Sequence, residues 1–131
     1  MALTSFGYVY HLSSTAQNVP VGSNVIFNKN GPLRNITHVA SSSRIRVALA
    51  GVYNIAFAIY TSVNNPEVWG VAVNGVVKSR FSADGKSLNA ITSLHLNAGD
   101  IVQIRNVATE PNPAVLRIGD RTAWVLIYKA D

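Results

Sequence analysis

The chain carries strand signals along its whole length and no helical period longer than a turn. Stretches of alternating, β-branched or aromatic residues recur roughly every eight to twelve residues, the spacing of an all-β chain. They lie at 6–12, 18–21, 24–28, 35–39, 44–50, 52–61, 68–74, 76–82, 89–96, 101–107, 115–118 and 122–130. Turn chemistry separates them: NKNGP, SSS, NNP, NG, ADGKS, NAGD, EPNP and GD. Asn74-Gly75, between two apolar strands, is the strongest hairpin signal, because a type I′ turn needs positive φ at both central residues. There is no repeat, linker or low-complexity segment, so the 131 residues read as one β-sandwich domain spanning 1–131.

The stretch GVYNIAFAIY, residues 51–60, constrains more than fold class. Tyr53, Ile55, Phe57 and Ile59 alternate as a core face should. The opposite parity holds Val52, Asn54, Ala56, Ala58 and Tyr60, where an outward strand face normally carries charge. Only 13% of the chain is charged, against roughly 25% in an average soluble domain, so this is no local accident. The same doubling appears in two more strands. Thr92, Leu94 and Leu96 alternate with Ile91, Ser93 and His95, and Trp124, Leu126 and Tyr128 alternate with Ala123, Val125 and Ile127. A two-layer antiparallel sandwich has no third layer to cover a second apolar face, so these faces point to a buried subunit interface.

Chemistry-bearing constellations are sparse. The six carboxylates (Glu67, Asp84, Asp100, Glu110, Asp120, Asp131) sit in expected loops or at the C-terminus, without a close pair for acid–base work. Asp100 and Asp120 each follow a glycine, the setting in which Asp accepts backbone N–H groups in a tight turn. His11, His38 and His95 are far apart and lack zinc-ligand spacing. There is no cysteine, no run of calcium ligands and no G-x-S-x-G motif. The pattern predicts no enzyme, cofactor or metal. The net charge of +5 is spread along the chain, with no stripe or motif for nucleic acid, and a solvated basic surface is expected. No apolar run approaches a membrane span, and MALTSFGYVYHL lacks the pattern of a signal peptide.

GVYNIAFAI resembles the Gly-x-Tyr-x-hydrophobic-x-Phe strand of the C1q/tumour-necrosis-factor superfamily. VAVNGVVKSR resembles its VNG hairpin, SLHLNAGDIVQIRN its GD element, and AWVLIY its closing strand. The upstream VIFNKNGPLRNITH is most similar to the bacterial branch, the heads of collagen-like glycoproteins on spore surfaces (the exosporium). The match runs from about Phe6 to Tyr128. It implies a ten-stranded jelly roll assembling as a homotrimer, with the three doubly apolar strands in the inner sheet.

On that basis Asn54, Ala56, Ala58, Ile91, Ser93, His95, Val125 and Ile127 are expected to face neighbouring protomers, and Trp124, Leu126 and Tyr128 the core. Threefold symmetry would bring three copies of His95 toward one another. The expected function is a non-enzymatic trimeric surface module, extracellular or on the spore. The alternative is a ligand-binding trimer whose end loops NNPEVWG and ATEPNPAV, with Glu67 and Trp69, recognise a glycan or another surface-layer protein. No Gly-X-Y stalk and no vertebrate-type calcium loop is present in the sequence, so neither carries over.

Overall fold

A computed structural model describes residues 3–62, 67–83, 85–108 and 113–131. The strands are β1 (Phe6–Ser13), β2 (Gln17–Val19), β3 (Lys29–Arg34), β4 (Ile36–Thr37), β5 (Ile45–Val47), β6 (Gly51–Tyr60), β7 (Glu67–Val73), β8 (Val76–Ala83), β9 (Ser87–Leu96), β10 (Ile101–Asn106), β11 (Ala114–Leu116) and β12 (Gly119–Lys129). Two five-stranded antiparallel sheets form, in the orders β3-β1-β12-β6-β9 and β4-β5-β10-β7-β8, and β11 pairs with β2. The last strand therefore inserts between the first and the sixth, the non-sequential neighbouring of a jelly roll. The ten strands of the two large sheets match the number that the resemblance implies. Among the described residues no helix is long and apolar enough to cross a membrane.

The core lies between the sheets. From the first come Val9, Tyr53, Ile55, Phe57, Ile59, Leu96, Val125 and Ile127, and from the second Ile45, Val47, Trp69, Val71, Val102 and Ile104. Phe57 meets Phe81 edge-on with centroids 5.7 Å apart. The Tyr53 hydroxyl reaches the Leu49 carbonyl at 2.8 Å, so its ring is buried without an orphaned polar atom. The Asn74-Gly75 hairpin joins β7 and β8 with φ of 52° and 85°, as its sequence demands.

Two segments depart from the sequence reading. The sequence places NKNGP in a turn, yet Lys29–Arg34 forms β3 at the edge of the first sheet. An edge strand tolerates Pro32, whose missing N–H would break a central ladder, and the register of β3 on β1 shifts between Gly7 and Val9. Residues 24–28, expected as a strand, make only isolated bridges, Asn24 with Arg105 and Phe27 with Ser42.

Candidate functional site

Residues directly opposite across antiparallel strands point to the same side of a sheet, so the register of the first sheet fixes its outward face. Three rows cross it: Phe6–Tyr128–Asn54–Ser93, Tyr8–Leu126–Ala56–Ile91 and Tyr10–Trp124–Ala58–Asn89. His95 stands opposite Val52 at the end of the face. Tyr8 lies 5.6 Å from Tyr10 and 6.3 Å from Trp124, centroid to centroid, and the Arg121 guanidinium caps Tyr10 at 4.2 Å. Leu126, on the central strand β12, is 39% exposed, and Ile91, on the edge strand β9, is 59% exposed, high values for large aliphatic side chains. Ser93 donates to the Asn54 side-chain oxygen. Ala56, half-buried, makes a low point between Leu126 and Ile91, with aromatic residues of β1 and β12 on one side.

The register puts Asn54, Ala56, Ala58, Ile91, Ser93 and His95 on one side of the sheet, as the alternation implied, but Ala58 is fully buried within the chain and has no surface to offer a neighbouring protomer. The same register reverses the last strand. Val125 pairs with Phe57 and Ile127 with Ile55, and both are buried in the core, whereas Trp124, Leu126 and Tyr128 face outward. Both parities of β12 are apolar, and side-chain size is a poor guide when large aromatics also build the outer face. The contribution of β1 was missed altogether. Its signal was an aromatic at every second position, Phe6, Tyr8 and Tyr10, interleaved with Gly7 and Val9.

Glu67 and Trp69 do not sit in a loop. Both lie on β7 and point into the core, 5% and 1% exposed, with the Trp69 indole N–H donating to Glu67 Oε1 at 3.1 Å. Burial pushes the Glu67 carboxyl up, with the indole bond and the charge of Arg117 pulling it part of the way back. Its Oε2 is buried without a hydrogen-bond partner. The loop stretches 63–66 and 109–112 fall outside the described residues.

The remaining polar groups serve the fold. Asp100 accepts the Asn97 N–H at 2.8 Å and the Asn74 amide at 2.9 Å, tying the GD turn to the β7–β8 hairpin. A cleft of about 450 Å³ opens beside it, lined among others by Lys78, Leu94 and His95. His38 Nε2 lies 2.6 Å from the Ser42 carbonyl. His11 is buried with neither ring nitrogen bonded. Among the described residues no three His, Asp or Glu side chains gather into a metal-binding group.

No protein-family model and no curated protein matches the sequence. Solved structures do match the fold. Eiger TNF from S. frugiperda superposes with a TM-score of 0.73 at 15% identity, covering 99% of this chain and 94% of that one. The globular domain of zebrafish complement 1qA gives 0.74 at 16% identity, with 97% and 98% covered. Murine APRIL at pH 5.0 gives 0.67 at 14% identity, with 95% and 98% covered. The chain is thus an all-β jelly-roll module. Its particular form is that of the TNF and C1q globular domains.

Proposed function

We propose that the chain is a non-enzymatic homotrimeric surface module whose subunits pack through the outward face of the first sheet. The observation that carries this is the uncharged interior of that face. Across β1, β12, β6 and β9 its three rows hold five aromatics, Phe6, Tyr8, Tyr10, Trp124 and Tyr128, together with Leu126, Ala56 and Ile91, while the cations stand at its border, Lys29 and Arg34 on the edge strand β3 and Arg121 over Tyr10. Aromatic enrichment with charge depletion marks the core of a subunit interface, and the small Ala56 lets a second backbone approach closely. A closed threefold ring hides three such faces at once. Placement on a spore or cell surface rests on the resemblance of VIFNKNGPLRNITH to exosporium heads. Recognition by Glu67 and Trp69 loses its support, because both side chains are covered by the core.

Light scattering at micromolar concentration tests the assembly. About three times the 14.1 kDa chain mass is expected, and a particle of one chain mass overturns the reading. Immunogold labelling of intact spores and cells tests the location.

A further inference from the structure

We propose that the outward face of the second sheet, opposite the proposed subunit interface, binds an acidic polysaccharide. Four of the seven arginines, scattered along the sequence, converge here. Arg105 on β10 lies in one row with Gly70 on β7 and Arg80 on β8. Arg46 on β5 stands opposite Ile101 of the same β10, and alternation puts Arg44 on the side of Arg46. Arg80 and Arg105 are two strands apart, on the order of 10 Å. Arg44, Arg46 and Arg80 are exposed. Arg105 is half-buried and fixed in place: its Nε donates to the Asn24 side chain at 3.1 Å and its Nη1 to the Gly75 carbonyl at 3.0 Å. Those bonds use two of five N–H donors and leave three.

On this face no carboxylate among the described residues neutralises the charge. Among the described residues, Glu67 points into the core, Asp100 is engaged by Asn74 and Asn97 at the sheet's end, and Asp120 and Asp131 belong to the other sheet and its terminus. All four cations are arginine, whose planar fork pairs with carboxylate and sulfate oxygens in a way a lysine cannot. Between them stand neutral hydrogen-bonding groups suited to sugar hydroxyls: Thr37 opposite Arg46, Ser82 opposite Val68, and Gln103 bonded to Ser43 at 2.8 Å. No aromatic ring of the four strands β5, β10, β7 and β8 points outward, since Trp69 and Phe81 face the core, so unstacked bases find no platform. The outer face of the sheet also offers no helix to enter a duplex groove. Both points favour a polysaccharide over a nucleic acid. The two outer faces are on opposite sides of the sandwich, so this surface stays open whether or not copies assemble.

The test is the affinity of the full chain for heparin and for alginate at 0.15 M salt, carrying sulfate and carboxylate respectively. The parent is compared with Arg44→Gln/Arg80→Gln and with Lys29→Gln/Lys86→Gln, which removes the same charge elsewhere. All four residues are exposed, and equal melting temperatures confirm intact folds. The arginine pair is expected to weaken binding about three- to tenfold, the sum of two exposed ionic contacts, and the lysine pair less than twofold. Binding to heparin alone assigns the oxyanion as sulfate, and to alginate alone as carboxylate. Equal weakening by both pairs, no binding of either polysaccharide, or tighter binding of a single-stranded oligothymidine overturns the proposal.

Discussion

Leu126 stands directly opposite Ala56 on the outward face of the first sheet, while Val125, one residue earlier, pairs with Phe57 inside the core. Adjacent positions of one strand therefore give opposite phenotypes. Leu126→Arg and Ala56→Arg are expected to disperse the assembly and leave each protomer folded, because the interface would bury unpaired like charges at several kcal/mol per ion. Val125→Arg should prevent folding, since its side chain is fully buried within one chain. Mass by light scattering, read beside thermal melts followed by circular dichroism, separates the outcomes. A folded Val125→Arg protein would show the assigned register to be wrong.

Phe57 is fully buried and packs edge-on against Phe81 across the gap between the sheets. Phe57→Ala is expected to cost about 3–5 kcal/mol through the cavity it leaves. Trp69→Ala should fall in the same range, because the indole is equally buried. Urea unfolding measures both. A loss below 1 kcal/mol in either would mean that the core closes around the missing ring.

How much of this could be read from the sequence depended on how unequal the two parities of each strand are. In β6 the core parity is Tyr53, Ile55, Phe57, Ile59 and the other is small, so the faces were assigned correctly. In β12 both parities are large and apolar, and only the pairing with Phe57 and Ile55 decides. β3 was hidden because Gly31 and Pro32 are turn residues everywhere except at a sheet edge. The arginine face was invisible for a different reason. Arg46, Arg80 and Arg105 lie far apart along the chain, and only the strand order β5-β10-β7-β8 brings them side by side.

Asn74 does two jobs in the β7–β8 hairpin. It takes a positive φ, and its side chain holds the neighbouring turn by donating to Asp100 Oδ1 and accepting the Ile101 N–H, each at 2.9 Å. Asn74→Ala should cost about 1–3 kcal/mol, more than a turn residue without such bonds. Asn74→Gly, which relieves the backbone but still removes both bonds, should recover only part of the loss. Full recovery in denaturant titrations would assign the whole effect to φ.

His11 sets an acid limit on stability. Burial holds its pKa below the ordinary 6.5, and the nearby Ile26 carbonyl offsets only part of that. Above pH 6.5 neither folded nor unfolded chain binds this proton, so the histidine has no effect. As pH falls through 6.5 the unfolded chain is protonated first and stability declines until the folded pKa is reached. His38, also lowered by burial, adds to the decline. Melting temperatures between pH 8 and pH 5 should therefore fall in the parent and fall less steeply in His11→Leu. Parallel curves would remove His11 from the effect.

Glu67 acts in the opposite direction. Its folded pKa is raised, chiefly by burial, so the carboxyl keeps its proton in the fold after the unfolded chain has lost it. The stability it contributes is full below the unfolded value of 4.5 and is lost as pH rises through the folded one. Glu67→Gln keeps an oxygen to accept the Trp69 indole N–H and removes the ionisation, leaving a buried neutral amide where a buried anion with an unbonded Oε2 had been. The variant's melting temperature relative to the parent should thus climb from pH 4 to pH 8. Between 4.5 and 6.5 the glutamate and histidine trends oppose each other, so the difference between variant and parent, in which the histidines cancel, is the quantity to follow. A difference that shrinks with rising pH would mean that the charge of Arg117 outweighs desolvation and that Glu67 is ionised in the fold.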